Sequence, residues 1–475
     1  MHLILQLAIL TSTQEFCLSS HKKNGRMRCP FRAKRYTASA ANGMSRNKYI
    51  NTTRLFNMNE LKGACIIGQS GGPTAVINAS VLGAVQTALN APQITRVLGA
   101  ANGITGVLNG LLYDMGLEDP VELELLKFTP SSALGTCRYK MKDPDVDPTD
   151  YEKILETFKK YDVRYFFYNG GNDSMDTCNK ISKFMQKSGY ECRVMGIPKT
   201  IDNDLFGTDH CPGFASAAKY IATSCMEVKH DACCYDTGMV TIIEVMGRHA
   251  GWLTAASALA NYAGAGPDLI YLPEVDFDME SFLADVERIY KATGKCLVVV
   301  SEGIHDKDGK FISEAKTNGN DGFGHAQLGG LANKLADVVR GRIASAKVRA
   351  IEPSLLQRCA THLASTTDAM EAYQAGKAAV TAAVEGKTDM MVAFERSELY
   401  GQYVCNTKLL PLAQVANYER KVPREWINAA GNGVEMAFID YALPLIQGEP
   451  GMKTVQALPR FARLRKVLAK PAAEL

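Results

Sequence analysis

Short apolar runs alternate along the chain with segments in which apolar residues recur at helical spacing. The runs include residues 64–68 (ACIIG), 163–168 (VRYFFY), 238–245 (GMVTIIEV) and 296–303 (CLVVVSEG). This alternation is typical of βαβ units and predicts parallel sheets. Open α/β proteins bind their ligands in the crevice beyond the carboxyl ends of such strands. The loops that follow the apolar runs are therefore the candidate functional segments.

A glycine pair follows the first apolar run. Gly71 and Gly72 precede a helix that we predict to begin near Pro73, because proline suits the first helical turn. Glycine lets a ligand approach the backbone, and the start of a helix favours phosphate. The alternative is a tight strand-to-helix turn without a ligand.

The second apolar run ends in NGGNDS. Here two glycines followed by Asn172, Asp173 and Ser174 could hold phosphate oxygens or a metal, or cap the next helix. Between these two units, LGTCRYK supplies Arg138 and Lys140, which would neutralise phosphate charge or lie in a solvated loop.

The most informative stretch is VMGIPKTIDNDLFGT at residues 194–208. It places an apolar strand directly before a loop with Lys199, Asp202 and Asp204. A carboxylate can take a proton from a hydroxyl, and a lysine can stabilise a phosphate leaving group. The loop therefore indicates a phosphoryl-transfer site.

Further charged residues follow strands in the second half of the chain. Arg248 lies in MGRHAGW, and its guanidinium group is suited to bind a sugar phosphate through two hydrogen bonds. We assign no role to the neighbouring His249. Glu302 ends the run 296–303 and could accept sugar hydroxyls. Arg349 and Arg358 could clamp phosphates, bridge subunits or form surface ion pairs.

Composition narrows the class of protein. The 475 residues are 46% hydrophobic and 22% charged, as in a globular protein of two or more domains. Of 53 basic and 50 acidic residues, ten basic and one acidic residue lie in positions 1–57, which leaves 43 and 49 for the remainder. A nucleic-acid surface is therefore not expected. The 13 cysteines have no framework spacing, so we expect reduced thiols in a cytoplasmic protein.

The first 57 residues lack a periodic apolar pattern apart from LILQLAIL at positions 3–10. Eight residues are far fewer than the roughly 20 needed to cross a bilayer, so no membrane span is expected. The segment could be a signal peptide, an organelle transit peptide, or an extension upstream of a true start at Met58. In each case we expect a poorly ordered leader at 1–60.

The chain resembles the phosphofructokinase family over residues 62–404. The resemblance rests on seven motifs in this order: GGP, LGTCR, GGNDS, PKTIDND, EVMGRHAGW, SEG and QR. The resemblance implies a transferase that phosphorylates the 1-hydroxyl of fructose 6-phosphate. It implies an α/β fold of two Rossmann-like three-layer domains with mostly parallel sheets and the active site in the cleft between them. Residues 61–212 with about 356–405 would bind the phosphate donor, and 213–355 the sugar phosphate. Residues 406–475 are expected to be a helical extension, with an amphipathic helix at 462–470.

The resemblance also implies roles for individual residues. Asp202 would accept the proton of the attacking hydroxyl, supported by Thr200 and Asp204. Arg349 would reach a neighbouring subunit, which implies a homo-oligomer, either a dimer or a tetramer. The donor would contact Gly71, Gly72, Arg138, Gly171 and Asp173, and the sugar phosphate would contact Thr200, Ile201, Asp202, Met246, Gly247, Arg248, Glu302 and Arg358.

Asp173 and Lys199 indicate the donor. The ATP-using branch of the family has glycine at both positions, and the larger side chains fill space that a nucleotide needs. Asp173 would also repel the inner phosphate of ATP. Lys199 can stabilise charge on a smaller leaving group. The pair resembles the pyrophosphate-dependent branch, of bacterial type; the alternatives are an ATP-dependent kinase and a non-catalytic regulatory subunit.

Magnesium is the expected cofactor. Many relatives carry an acidic residue at position 172, whereas Asn172 offers a neutral carbonyl oxygen. We therefore expect pyrophosphate and water to hold most of the Mg²⁺ coordination, with Asn172 assisting.

Overall fold

The computed structural model describes residues 61–313 and 328–475. Across these two ranges, no helix has the length and apolarity to cross a membrane. The leader predicted at 1–60 lies outside the described residues. The strands, in chain order, are β1 Gly63–Gln69, β2 Ile94–Ala100, β3 Leu112–Asp114, β4 Val163–Gly170, β5 Arg193–Pro198, β6 Met239–Val245, β7 Leu269–Tyr271, β8 Lys295–Ser301, β9 Lys347–Ile351, β10 Met390–Leu399, β11 Gln402–Pro411, β12 Thr454–Val455 and β13 Leu458–Pro459.

The strands form two large sheets and one small hairpin. The first sheet has the order β11-β10-β5-β4-β1-β2-β3, and its inner five strands run parallel. Its two edge strands, β3 and β11, pair antiparallel with their neighbours. The second sheet has the order β7-β8-β6-β9 and is entirely parallel. The chain leaves the first sheet after β5, builds the second sheet and returns at β10.

Long helices cover both sheets and are joined by short helical turns. The long helices are α1 Ile77–Leu89, α2 Thr149–Tyr161, α3 Asn172–Lys187, α4 Phe214–Cys233, α5 Met279–Thr293, α6 Leu331–Arg342 and α7 Thr366–Val384. The shorter helices are Ile104–Leu108, Pro120–Glu124, Trp252–Ala255, Leu259–Tyr262, Leu356–Cys359, Leu412–Val415 and Met436–Ala442. The 3-10 turns are Met115–Leu117, Leu125–Phe128, Ala256–Ala258, Thr361–Leu363, Arg424–Trp426, Leu443–Ile446 and Ala472–Glu474.

Alternating side chains of β1 build the two cores of the first sheet. Ala64 and Ile66 pack with α2 and α3, whereas Cys65 and Ile67 pack with α1 and α7. All four are buried, as expected for a parallel strand with helices on both faces. The second sheet is covered in the same way, by α4 on one face and by α5 and α6 on the other.

Helices α1 and α7 cross in close contact because each has a glycine at the crossing. A Cβ atom on Gly376 would lie 1.9 Å from the carbonyl oxygen of Ser80. A Cβ atom on Gly83 would lie 2.1 Å from the carbonyl oxygen of Tyr373. Only glycine allows the two backbones to approach this closely.

Two local predictions were wrong. Helix α1 begins at Ile77 and not near Pro73. The segment 462–470 is extended rather than helical, and Val467 and Ala469 exchange backbone hydrogen bonds with Asp114 and Leu112 along β3. The remainder of 406–475 contains the end of β11, the β12–β13 hairpin and short helices, so it is not a helical extension.

Candidate active site

A cleft of about 620 Å³ lies at the carboxyl ends of strands from both sheets. Loops after β1, β4 and β5 line one side, and loops after β6 and β8 line the other. This is where an open α/β fold binds ligands. Most predicted site residues meet here: Gly71, Gly72, Arg138, Gly171, Asn172, Asp173, Lys199, Thr200, Ile201, Asp202, Asp204, Met246, Arg248, Glu302 and Arg358.

Lys199 is a buried cation on the side of the cleft that the loops after β1, β4 and β5 line, which is the predicted donor side. Its side chain is only 3% exposed, and its Nζ donates a hydrogen bond to the carbonyl oxygen of Gly72 at 2.7 Å. Burial lowers the pKa of Lys199 to about 8, with Asp202 opposing the shift and Arg358 and Arg138 adding to it. The ammonium group is therefore held where a negative ligand would stabilise its charge.

The glycine pair after β1 has no side chains, so cationic side chains can lie close to its backbone. Gly71 has φ +75°, a left-handed conformation that favours glycine. A Cβ atom on Gly72 would lie 2.9 Å from Nη1 of Arg358. The amide of Gly71 donates to the carbonyl oxygen of Cys137 at 3.1 Å, which fixes the neighbouring Arg138 beside the same loop. Lys199, Arg138 and Arg358 thus surround a site suited to phosphate.

Helix α3 begins inside the cleft. Gly171 is its N-cap, and Asn172 and Asp173 are its first residues. The positive end of the helix faces the donor side, where it favours anions. Asp173 adds a carboxylate to the lining at this point.

Asn172 is engaged with the C-terminal part of the chain. Its Oδ1 accepts from the amide of Asn417 at 2.7 Å, and its Nδ2 donates to the carbonyl oxygen of Tyr418 at 3.0 Å. The side chain therefore holds residues 417 and 418 against the start of α3. Its predicted contact with magnesium stays a prediction.

Two carboxylates follow Lys199 in the loop after β5. Asp202 lies 3.4 Å from the Thr200 hydroxyl, and its amide donates to the same hydroxyl at 3.1 Å. Burial raises the pKa of Asp202, although Lys199, Thr200 and Arg248 oppose the shift. Burial, and next the charge of Asp202, raise the pKa of Asp204 to about 7. The pair can therefore take up a proton close to neutral pH.

Asn203 lies between the two aspartates and holds this loop in place through hydrogen bonds of its side chain. It is fully buried and adopts a left-handed φ of 55°. Its Oδ1 accepts from the amide of Cys211 at 2.9 Å, and its Nδ2 donates to the hydroxyl of Tyr441 at 2.8 Å. Asp202 and Asp204 are thus held in the cleft by an internal frame of hydrogen bonds.

The opposite side of the cleft is built on β6 and β8. The amide of Met246 donates to Gln357 at 3.1 Å, and the amide of Gly247 donates to Glu302 at 3.3 Å. Gly247 has φ +143° and is not among the residues that line the cleft, unlike its neighbours Met246 and Arg248. Burial raises the pKa of Glu302 to about 7.

Arg248 adds positive charge on this side, and Arg358 lies between the two sides, close to Gly72 of the glycine loop. Both line the cleft. Burial, and next Arg138, lower the pKa of Arg358. The other predicted arginine, Arg349, lies in β9 opposite Thr241, exposed and outside the cleft of this chain.

Comparisons with known proteins identify the family of this chain. A family model for phosphofructokinase matches residues 64–383. The chain belongs to the phosphofructokinase family. The predicted α/β fold with a large, mostly parallel sheet is confirmed.

Similar family members are known from bacteria. The pyrophosphate–fructose 6-phosphate 1-phosphotransferase of Halomonas elongata is 43% identical over 402 residues, covering 84% of this chain and 95% of the relative. The enzyme of that name from Xanthomonas campestris is 45% identical over 412 residues, covering 85% and 97%. The crystal structure of a pyrophosphate-dependent phosphofructokinase from Marinobacter aquaeolei is 40% identical, with a TM-score of 0.77 over 86% of this chain and 97% of that chain.

Some cleft residues of this member of the phosphofructokinase family had no predicted role, among them three polar ones. His249 lies in the EVMGRHAGW motif, and Asn417 and Glu419 come from the C-terminal segment. Nδ1 of His249 is 3.0 Å from Oε1 of Glu419. His249 could have been found from its motif. Asn417 and Glu419 carry no local signal, because contacts distant in sequence bring them to the cleft.

Proposed function

We propose that this protein transfers a phosphoryl group from inorganic pyrophosphate to the 1-hydroxyl of fructose 6-phosphate, reversibly, giving fructose 1,6-bisphosphate and phosphate. The donor assignment rests on the position of Lys199. Its buried ammonium group is bonded to the carbonyl oxygen of Gly72 on the donor side, where Asp173 also lies. The names of the Halomonas and Xanthomonas relatives support the same reaction.

The cleft contains the groups that this transfer needs. The 1-hydroxyl oxygen attacks the terminal phosphorus of pyrophosphate, and Asp202 accepts the hydroxyl proton. The bond from that phosphorus to the bridging oxygen breaks, and its electrons remain on the departing phosphate. Lys199 and Arg138 stabilise the charge on that phosphate, because both lie beside the glycine loop. The reverse reaction uses the same groups in the opposite order.

Asp173 and Lys199 also account for the exclusion of a nucleotide. Lys199 occupies volume next to Gly72, and Asp173 places a carboxylate at the start of α3. Pyrophosphate gains from the ammonium group and needs no room for adenosine. ATP would meet both the bulk of Lys199 and the charge of Asp173.

The acceptor is a sugar phosphate held on the second side of the cleft. Arg248 can bind its phosphate from this side and Arg358 from its position near Gly72, and the Glu302 carboxyl can accept hydrogen bonds from its hydroxyls. Main-chain contacts from Met246 and Gly247 to Gln357 and Glu302 keep this side rigid. The acceptor hydroxyl would then lie between Asp202 and the donor.

Magnesium is part of the proposal. Oxygen donors suit this ion, and the cleft supplies carboxylates from Asp173, Asp202 and Asp204. The carbonyl oxygen of Asn172 already accepts one hydrogen bond, so Asn172 would at most assist. When bound to pyrophosphate, Mg²⁺ neutralises phosphate charge. The protein residues then orient the donor and move the proton.

The proposal also assigns one substrate to each half of the protein. Residues 61–212 with about 356–405 would form the donor half, and 213–355 the sugar-phosphate half. Arg349 lies exposed on β9, the edge strand of the second sheet, where it could complete the site of a neighbouring copy in a homo-oligomer. A cytoplasmic setting suits an enzyme of sugar phosphate metabolism.

The test is a comparison of donors. Purified protein is mixed with fructose 6-phosphate and either pyrophosphate or ATP, with and without Mg²⁺, and fructose 1,6-bisphosphate is measured. We expect turnover with pyrophosphate and Mg²⁺ only. Turnover with ATP but not with pyrophosphate would overturn the donor assignment, and no turnover with either would overturn the proposed reaction.

A further inference from the structure

Residues 417–422, called the C-terminal strap below, run along the cleft although they lie beyond the family-matched residues 64–383. The strap is tied first to the donor side. Asn172 exchanges hydrogen bonds with Asn417 and Tyr418 at 2.7 and 3.0 Å. The amide of Arg420 donates to the carbonyl oxygen of Asp204 at 2.8 Å. The strap is therefore bonded to both loops that carry the predicted donor and catalytic residues.

The same strap is tied to the sugar side. The indole of Trp252 donates to the carbonyl oxygen of Arg420 at 3.0 Å, and the Arg420 guanidinium lies 4.1 Å from the Trp252 ring. Oε1 of Glu274 accepts from the amides of Val422 and Gly251 at 3.0 and 2.8 Å. Since Gly251 and Trp252 lie three and four residues after Arg248, in the loop after β6, the strap bridges the two sides of the cleft.

Between these anchors the strap presents Glu419 to the cleft. Nδ1 of His249 lies 3.0 and 3.2 Å from the two carboxylate oxygens of Glu419. A carboxylate only accepts hydrogen bonds, so Nδ1 carries the hydrogen and the ring orientation is fixed. His249 also lies close enough to Asp202 to favour the charged form of that carboxylate, which partly offsets the effect of burial on its pKa. An imidazole oriented in this way is suited to contact an anionic or hydroxyl-bearing ligand through its other nitrogen.

Building on the proposed function, we propose that Glu419 is a positioning residue for the acceptor. It holds His249 so that the imidazole contacts the sugar phosphate, while the strap sets the spacing between the donor and acceptor loops. Glu419 itself touches neither substrate. Its loss should therefore affect the acceptor much more than pyrophosphate.

The test uses the full chain with Glu419→Ala, Glu419→Gln, His249→Gln and the double variant Glu419→Ala/His249→Gln. Glu425→Gln is the matched control, because Glu425 is an exposed carboxylate on the same C-terminal segment. We expect Glu419→Ala to raise the KM for fructose 6-phosphate about tenfold, the scale of one lost hydrogen bond to a charged group. The KM for pyrophosphate should change less than twofold, and Glu419→Gln, which keeps an acceptor, should lose less.

The double variant shows whether Glu419 acts through His249 or whether its loss disturbs the cleft independently of His249. If Glu419 acts through His249, the double variant should be no worse than His249→Gln alone. Effects that multiply in the double variant would overturn the proposal. So would a KM for fructose 6-phosphate within twofold of wild type in Glu419→Ala.

Calorimetric binding of fructose 6-phosphate without a donor distinguishes this proposal from the donor assignment. Glu419→Ala should weaken that binding about tenfold whichever phosphate donor the enzyme uses. Unchanged binding would overturn the role of Glu419 and leave the donor assignment intact. Failure of the wild-type protein to bind fructose 6-phosphate would instead overturn the proposed function itself, and the acceptor role with it.

Discussion

The Nζ atom of Lys199 lies 2.7 Å from the carbonyl oxygen of Gly72 and donates a hydrogen bond to it. This contact places a buried cation inside the glycine loop that follows β1. The same loop is bonded to the segment that carries Arg138. The donor side of the cleft is therefore shaped and charged for a compact phosphate ligand.

Replacing Lys199 should reduce turnover. We expect Lys199→Ala to lose about 2.7 to 4 kcal/mol of transition-state stabilisation, as when a preorganised donor is removed. The kcat measured with pyrophosphate reports this loss. Lys183→Ala is the control, because Lys183 is an exposed lysine on α3. A Lys199→Ala enzyme with a higher KM for pyrophosphate and an unchanged kcat would contradict the assigned role.

Activity should have a bell-shaped dependence on pH. Asp202 must be deprotonated to accept a proton, and burial raises its pKa, so activity should rise as pH increases through the raised value. Lys199 must be protonated, and burial lowers its pKa to about 8, so activity should fall above that value. A profile of kcat/KM for pyrophosphate against pH checks both limbs, because this ratio reports the pKa values of the free enzyme.

The acid limb has a specific test in Asp204→Asn. Removing the like charge should let Asp202 lose its proton at lower pH, so the acid limb should move to lower pH. The alkaline limb should stay in place, because Asp204 is a minor influence on Lys199. An acid limb that does not move would show that the two carboxylates titrate independently.

The preference for pyrophosphate over ATP should be weakened by substitutions at Asp173 and Lys199. Replacing Asp173 and Lys199 together with glycine removes the carboxylate and the ammonium group that restrict the donor side. We expect the double variant to bind ATP measurably and pyrophosphate more weakly, as read by calorimetry. The two single variants are the controls. If ATP does not bind the double variant at all, other cleft residues exclude it.

His210 should stabilise the fold as a buried imidazolium. Its Nδ1 and Nε2 lie 2.8 and 2.7 Å from Asp209 and Glu371, so both nitrogens must carry hydrogen. Burial alone would lower the pKa of His210, but hydrogen bonds to the two carboxylates outweigh it and raise the pKa. The stabilisation is then complete below the unfolded pKa of about 6.5 and is lost as pH rises through the raised folded value.

The measurement is urea unfolding of wild type and His210→Gln at acidic and alkaline pH. We expect His210→Gln to cost about 3 to 5 kcal/mol at low pH, because the buried carboxylate of Glu371 loses its cation, whereas Asp209 keeps its ion pair with Arg396. The difference should shrink at high pH. His230→Gln, at an exposed position on α4, is the control. A difference independent of pH would show that His210 is neutral in the folded state.

The sequence was sufficient to predict the strands that bear the site. The runs at 64–68, 163–168 and 238–245 coincide with β1, β4 and β6, because buried parallel strands need continuous apolar side chains. Since the carboxyl ends of parallel strands share one edge, the loops after them had to lie close together. That geometry brought Lys199 and Asp202 into one cleft with Arg248.

The C-terminal segment 462–470 was predicted to be a helix although its sequence carries a local signal for an extended chain. Ala462 and Leu464 are partly buried and alternate with exposed Arg463 and Arg465, a period of two that suits an extended chain. The backbone of this segment is satisfied by the edge of the first sheet, a contact distant in sequence. Glu419 was missed for a similar reason, since only tertiary contacts bring it to His249.

The most direct test of the central claim is equilibrium binding of the donor by the wild-type enzyme. Pyrophosphate and ATP are titrated separately by calorimetry into protein with Mg²⁺ and a non-reactive analogue of fructose 6-phosphate. The account predicts saturable binding of pyrophosphate and no measurable binding of ATP in the cleft. Tight binding of ATP that pyrophosphate displaces competitively, with Lys199 and Asp173 intact, would contradict it.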